Sequence, residues 1–180
     1  MNYSRRAALK TTVVTAGAGF LATGCEADAM IDRKLMFASL DEGLAEGRRL
    51  AAIKGLDSGT VWTLPQTLVH LAQSIEFSIA GYPKHRSEFF QRTVGSAAFS
   101  VFSWRGRMSH NLGEPIPGAP SLNGETDATL AIARLQTAVQ AFNTHSAPLA
   151  KHFAYGTLDK TQYEQAHAMH LAEHFSVIDA

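Results

Sequence analysis

The chain has 180 residues, of which 46% are hydrophobic and 18% charged, a composition typical of a globular protein. Its 16 basic and 16 acidic residues balance, so it lacks the basic excess that phosphate neutralisation requires, and nucleic acid is not expected as a partner. A single cysteine excludes an intramolecular disulfide and a cysteine-based zinc site. Any metal must therefore be bound by nitrogen and oxygen, and the chain has eight histidines.

Residues 1–29 are predicted to be an export signal rather than part of the fold. Arg5 and Arg6 precede a weakly hydrophobic run that is shorter than the roughly 20 residues of a membrane-spanning helix. Ser4-Arg5-Arg6 with Leu9-Lys10 behind it resembles a twin-arginine signal. This predicts export to the periplasm or cell envelope, with the twin-arginine export machinery as a partner. A basic N-terminal arm is the alternative.

The end of this signal is open between two sites. Ala22-Thr23-Gly24-Cys25 resembles a lipoprotein processing site, which would leave a lipid anchor on Cys25. Ala27-Asp28-Ala29 is a small-x-small cleavage site, which would remove Cys25 and release a soluble protein. A mature chain that begins near residue 26 keeps 13 basic against 16 acidic residues, because residues 1–25 contain three basic residues and no acidic one. Such a chain has no electrostatic reason to bind anionic lipid or DNA.

Residues 30–180 are predicted to form one domain that begins with two helices. Apolar residues between Leu35 and Ile53 recur at helical spacing, which predicts an amphipathic helix that ends in the turn at Gly55–Gly59. Thr63 is expected to cap a second helix with Pro65 in its first turn, where a missing N–H costs nothing. The second helix is expected to end at Gly81, and its apolar stripe comprises Leu64, Leu68, Leu71, Ile75 and Ile79.

Two segments of different character follow. The aromatic-rich segment from Phe89 to Trp104 is predicted to be a buried helix. Residues 109–126 are rich in proline and glycine, so they are expected to form a long ordered loop or a lid rather than a helix or a central strand. Asp127 is then expected to cap a helix whose apolar face includes Leu130 and Leu135.

The last helix completes the predicted fold. Asp159 and Gln162 have the spacing of a capping box, which predicts the start of a helix that runs to about Ile178. No stretch of the chain shows the alternation of apolar and polar residues that predicts a strand. Four or five amphipathic helices bury their apolar faces best in a bundle, so the predicted fold class is all-α.

Three histidines of the last helix share the face that it is expected to bury. At about 100° per residue, His167, His170 and His174 lie within roughly 60° of one another. Burial leaves every nitrogen of these rings needing a partner, whereas a divalent cation takes one lone pair from each ring. Packed histidines with hydrogen bonds are the alternative to a metal site. The solvated side of this helix is expected to carry Gln165, Met169 and Glu173.

His70 of the second helix is the fourth histidine considered. It lies about 140° from the centre of the apolar stripe of that helix, which on its own indicates a residue that faces solvent. A helix between two neighbours can, however, turn a second face into a polar pocket. The spacing alone leaves both positions for His70 open.

Most of the chain, from about residue 35 to residue 178, resembles the DinB-like superfamily, and more narrowly an exported, uncharacterised branch of it (domain of unknown function 1569). The resemblance is carried by Trp62-Thr63-Leu64, by Val69-His70-Leu71, and by the histidines of the last helix preceded by Phe153-Ala154-Tyr155-Gly156-Thr157-Leu158-Asp159. It implies a four-helix bundle with up-down-down-up connectivity and the long loop before its third or fourth core helix. It also implies that His70, His170 and His174 bind a metal, with His167 as an additional neighbour.

A triad of histidines leaves one coordination position for water or substrate, as in catalytic zinc sites. Imidazole binds zinc, nickel, copper and iron, and only general frequency favours zinc. Because the superfamily includes thiol-dependent transferases, the predicted function is that of a metal-dependent hydrolase or thiol-dependent transferase acting on a small molecule. The residues considered as helpers are Glu76, Tyr155, His167 and Glu173.

Two other functions compete with catalysis. The chain contains no nucleophile elbow, phosphate-binding loop or H-E-x-x-H motif, so non-catalytic binding of a metal or ligand is one alternative. The other is a structural domain that forms a homodimer through the aromatic segment between Phe89 and Trp104. Elemental analysis of protein purified without a histidine tag separates the structural alternative from the other two functions.

The export signal gives the first testable prediction. Replacing Arg5 and Arg6 together with lysine should leave the precursor in the cytoplasm, because lysine keeps the charge but not the arginine pair that the export machinery recognises. Fractionation of cells that express each form measures this. Unchanged export of the double variant would refute the twin-arginine interpretation.

Overall fold

The structure is a computed structural model that describes residues 31–180. Within this range the chain is helical and has no strand, which confirms the predicted fold class. The predicted export signal with Arg5 and Arg6, and the predicted processing site at Cys25, lie outside the described residues. Among residues 31–180, no helix has the length and apolar character needed to cross a membrane.

Helices and one π-helical turn succeed one another along the described chain. Their bounds are α1 Leu40–Ala51, α2 Leu64–Ala80, α3 Glu88–Phe90, the π turn Gln91–Gly95, α4 Ser96–Arg105, α5 Ala128–Thr144 and α6 Lys160–Ser176. The elements from α3 through the π turn to α4 follow one another without a break. The first helix begins later than the expected Leu35, because Ser39 is its N-cap.

Polar caps fix the starts of the long helices as the sequence predicts. Thr63 and Gln66 form a reciprocal capping box at the start of α2, with Pro65 in the first turn. At α5, the Asp127 carboxylate accepts two backbone N–H groups of the first turn. Asp159 and Gln162 form a second capping box at α6. These bonds satisfy backbone donors that have no partner within the helix.

The packing of the long helices joins α1 and α2 to α5 and α6. Both α1 and α2 pack against each of these two later helices. Two glycines allow the close approach of α1: a Cβ atom on Gly43 would lie 2.6 Å from Cδ2 of Leu171, and one on Gly47 would lie 3.3 Å from the ring of Phe175. The fully buried core between these helices includes Leu68, Leu71, Ile75, Leu135, Phe142 and Phe175.

The aromatic segment is on the surface, so the prediction of a buried helix is wrong. Phe89 is 78% exposed and Trp104 86% exposed, whereas Phe99 is buried. The segment packs along one side only, with α4 in contact with α6. Gly95 is the point of closest approach: a Cβ atom there would overlap the backbone carbonyl of Ala154. Leu130, expected in the apolar face of α5, is also exposed.

Residues 107–127 connect α4 to α5 without a helix or a strand. Two buried side chains, Ile116 and Leu122, anchor this connection to the core. Two glutamines of α2 also hold it, since Gln73 donates to the carbonyl of Pro120 and Gln66 to that of Leu122. The connection is therefore held along the face of α2 that carries His70.

Candidate metal centre

Four histidine side chains converge between α2, α6 and the connection from α4 to α5. They are His70 from α2, His110 from the connection, and His170 and His174 from α6, and we refer to them as the histidine cluster. One ring nitrogen of each lies within 4.8 Å of those of the other three, close enough to hold a metal ion together. The structure thus brings the three predicted residues together and adds His110, which the sequence analysis missed.

His70 faces the protein interior, so the structure shows the buried one of the two positions that the spacing left open. Its exposed fraction is only 2%. The reason is that α2 has two packed sides, because it contacts α5 through one and α6 through the other. The stripe of leucines and isoleucines faces the hydrophobic core, and His70, on the second side, meets His170 of α6.

The distances within the cluster suit shared coordination of one ion. Nε2 of His70 and Nε2 of His170 are 3.2 Å apart. Two nitrogens bound tetrahedrally at about 2.0–2.1 Å from zinc lie about 3.3 Å apart, so this spacing matches that of two ligands. The pair can also share one hydrogen bond in the absence of an ion.

Such a hydrogen bond leaves other nitrogens of the cluster without a partner. Nδ1 of His70 and Nε2 of His174 are buried and have no hydrogen-bond partner among the described residues. A buried polar group without a partner costs about 1–3 kcal/mol. Buried polar atoms in proteins are normally paired, and an unpaired one calls for an explanation such as a bound ion or water.

His110 is held in place by Glu173, the neighbour of His174 on α6. The Glu173 carboxylate accepts the backbone N–H of His110 at 2.7 Å and lies 2.6 Å from its Nδ1. Because an ionised carboxylate only accepts, Nδ1 of His110 must donate, and the neutral ring then keeps its lone pair on Nε2. A carboxylate behind a histidine in this manner is the usual outer partner of a metal ligand.

The position of Glu173 differs from the one that the helical wheel predicts. Its side chain is only 13% exposed, and Met169 on the same predicted solvated side is buried. Both residues are covered because α6 is surrounded by α1, α2 and α4. The connection brings His110 over Glu173 as well.

Trp62 covers the cluster on the side of α2. Its ring is parallel to that of His174 at a centroid distance of 5.9 Å and lies 4.6 Å from that of His70. Burial lowers the pKa of His70 to about 3, and a neighbouring histidine contributes. Burial and the other cluster histidines lower the pKa values of His170 and His174 well below their usual range. These three rings are therefore neutral near pH 7, with lone pairs available to a cation.

A cavity adjoins the cluster. It is partly open to solvent, and three cluster members, His70, His110 and His170, line it. The connection supplies one wall of the cavity through Met108 and Ile116. A molecule in this cavity would therefore lie beside the cluster.

His167 is not a member of the cluster. It lines the same cavity, stacks on Tyr163 at a centroid distance of 5.4 Å and meets the Phe142 ring edge to face. Its Nε2 is buried without a hydrogen-bond partner among residues 31–180. Burial lowers its pKa to about 3. The ring belongs to the cavity wall, one helical turn before His170.

The other residues considered as helpers differ in position. Glu76 forms two hydrogen bonds with Arg134 of α5, at 2.9 and 2.8 Å, and does not line the cavity. Tyr155 does line it, and burial, with a contribution from Glu173, raises the pKa of its hydroxyl to about 12. Tyr155 is therefore protonated at neutral pH and able to donate a hydrogen bond.

Comparison with known proteins gives one match. The family described as "Protein of unknown function (DUF1569)" matches residues 30–179. This confirms the resemblance to domain of unknown function 1569, without bearing on export, and the range includes every residue of the histidine cluster and the cavity. No curated protein and no solved structure gives a significant match. The wider resemblance to the DinB-like superfamily stays a prediction.

The buried histidines outside the cluster predict how stability depends on pH. Burial lowers the pKa values of His152 and His167 to about 3 from an ordinary value of 6.5. Between these values the unfolded chain binds protons that the folded chain does not, so the free energy of unfolding should fall as pH falls below 6.5. The slope should be about 1.4 kcal/mol per pH unit for each such histidine.

Urea unfolding of the metal-free protein between pH 7 and pH 4.5 measures this slope. His167→Phe keeps an aromatic ring against Tyr163 and Phe142 but cannot titrate. It should reduce the slope by the equivalent of one proton. An unchanged slope in this variant would show that His167 is already protonated in the folded chain.

Proposed function

This chain belongs to the DUF1569 family of proteins of unknown function, and we propose that it binds one divalent metal ion through its histidine cluster. The observation that carries the proposal is the convergence of four imidazoles whose nitrogens lie within 4.8 Å of one another, with the buried Nε2 of His174 left without a partner among residues 31–180. The ligands would be His70, His170 and His174, with His110 as a fourth. His167 lies outside this set.

The donor set fits a transition-metal ion. All four donors are imidazole nitrogens, which suit zinc, nickel, copper and iron, whereas magnesium and calcium prefer oxygen. Zinc is favoured by general frequency. The Glu173 carboxylate accepts from His110 Nδ1, so its place is behind a ligand rather than on the ion.

We further propose that the metal is catalytic, because the cavity touches three of the four cluster histidines. A divalent cation bound there supplies Lewis-acid activation of a water, a thiol or a carbonyl group. The chain adds two polar groups to the cavity wall: the Tyr155 hydroxyl can donate a hydrogen bond, and the neutral His167 ring can accept one. A metal-dependent hydrolase or thiol-dependent transferase acting on a small molecule would use such a site.

His110 favours a second candidate, a non-catalytic metal site. Four histidine ligands complete tetrahedral zinc coordination, as in structural sites, whereas three leave a position for substrate. The two functions therefore differ in whether His110 stays on the ion when a ligand enters the cavity. Because its side chain is the most exposed of the four, we favour a His110 that gives way to substrate.

Two wider proposals agree with the helical packing and with the sequence. The contacts of α1 and α2 with α5 and α6 are those expected of a DinB-like four-helix bundle with up-down-down-up connectivity. Export by the twin-arginine route to the periplasm or cell envelope, with Cys25 either lipidated or removed, is supported by the sequence alone. Export of an already folded chain would suit a protein that acquires its metal before it crosses the membrane.

The metal proposal predicts different effects for substitutions of the four cluster histidines and of Glu173. After loading with zinc and removal of the excess, the protein should retain one ion per chain. His70→Ala, His170→Ala and His174→Ala should each abolish stoichiometric zinc, because the two remaining buried ligands and the more exposed His110 would bind the ion too weakly to keep it when the excess is removed. His110→Ala should weaken binding without abolishing it, and Glu173→Gln should weaken it by about 10- to 100-fold.

Two controls keep this test specific. His85 is exposed and outside the cluster, so His85→Ala should retain full zinc occupancy. His167→Ala should also retain it, because His167 belongs to the cavity wall. Zinc at 100 times its dissociation constant should stabilise the wild type by about 2.7 kcal/mol and the His70→Ala variant hardly at all. Full occupancy in His70→Ala would refute the proposed ligand set.

A further inference from the structure

The cavity has a second polar region besides the histidine cluster. Two hydrogen-bond donors of this region belong to His152, which lies in the turn before α6, and to Arg86, which follows α2. Their loops are joined directly, since the backbone N–H of Arg86 donates to the carbonyl of Phe153 at 2.9 Å. We refer to Arg86 and His152 as the donor pair.

His152 is fixed in one tautomer by its own turn. Its Nδ1 accepts the backbone N–H groups of Ala154 and Tyr155, at 3.1 and 3.0 Å. The neutral ring must then carry its proton on Nε2. Among residues 31–180, no acceptor pairs with Nε2 of this ring, although the residue is buried against the cavity. His152 therefore presents a fixed N–H donor to whatever occupies the cavity.

Arg86 offers most of its donors in the same region. Its guanidinium makes one side-chain hydrogen bond within the described chain, to Glu114 at a distance of 3.5 Å. More than half of each of these two side chains is exposed to solvent, so their ion pair contributes little to stability. The Phe90 ring lies 5.8 Å from the guanidinium carbon and helps to orient it. A planar guanidinium binds carboxylate and phosphate groups in a bidentate manner.

The donor pair is separated from the histidine cluster by about two turns of α6. The ring of His152 lies 6.0 Å from that of Tyr163, which precedes His170 by seven residues. At about 1.5 Å of rise per residue, this separation is about 10 Å along the helix. The lining of the cavity as a whole is mostly apolar and includes Ile116, Pro117 and Phe153.

We propose that the cavity binds a small organic anion whose carboxylate or phosphate group is held by Arg86 and by the N–H of His152. Its apolar body lies against Ile116 and Phe153, and its other end reaches the histidine cluster. The position of that other end rests on the proposed function. The anion site itself does not, because the donor pair lies outside the cluster.

Calorimetric titration with octanoate and with hexyl phosphate tests the anion site and separates the two oxyanions. Each should bind the wild-type protein, with or without zinc, and 1-octanol should bind more weakly because it lacks the charge. Arg86→Met should weaken binding of the preferred anion by about tenfold or more, as expected for loss of a charged hydrogen-bond partner. Lys84→Met is the matched control, since Lys84 lies on the same loop and outside the cavity wall. It should leave binding unchanged.

A third probe, the monohydroxamate of suberic acid, separates this proposal from the metal proposal. Its hydroxamate group binds zinc and its carboxylate lies at the far end of a six-methylene chain. It should bind more tightly than octanoate to zinc-loaded protein only, and Arg86→Met should weaken it too. If it gains nothing from zinc while the effect of Arg86→Met persists, the metal proposal fails and the anion site stands.

Two results would overturn the anion site. One is that neither octanoate nor hexyl phosphate binds the wild type with a dissociation constant below about 10 mM. The other is that the Arg86→Met variant binds octanoate, hexyl phosphate and the hydroxamate as tightly as the wild type does. Tight, zinc-dependent binding of the hydroxamate in that variant would then leave the metal proposal standing without the anion site.

Discussion

The contact between imidazole rings of α2 and α6 sets the arrangement around the site. His70 and His170 bring ring nitrogens to 3.2 Å, and the ring of His174 lies 5.0 Å from that of His70. Burial keeps these rings neutral, and no carboxylate of the described chain offers them a hydrogen bond. Stability is lost wherever a buried nitrogen has no partner. A shared cation removes this cost by using the lone pairs that the fold has directed to one point.

The connection between α4 and α5 links the cluster to the cavity. It contributes His110 to the cluster and Ile116 to the cavity wall, and Glu173 fixes it to α6. Displacement of His110 from an ion would therefore also disturb the wall against which a ligand lies. The cluster and the cavity depend on the same segment, so ligand binding and coordination are expected to affect each other.

Local sequence signals predicted the parts of the fold that depend on neighbouring residues. The caps at Thr63, Asp127 and Asp159 need only a side chain and the next turn of helix, and all three are as predicted. Orientation towards other helices could not be obtained in this way. His70 is buried although it lies off the apolar stripe, because α2 contacts two other helices. His110 lies in a segment whose sequence has no periodicity that could predict its position. The aromatic segment was expected in the core because of its apolar composition. Composition does not show that the rest of the protein covers only one side of this segment.

X-ray absorption at the zinc edge of the zinc-loaded protein tests the shared coordination of one ion most directly. The histidine cluster predicts a first shell of nitrogen and oxygen at about 2.0–2.1 Å, without sulfur, and outer-shell scattering from at least three imidazole rings. The same spectrum of His110→Ala should lose one ring at most. Outer-shell scattering from a single ring, or none, would show that zinc binds elsewhere and would contradict the site built around His70, His170 and His174.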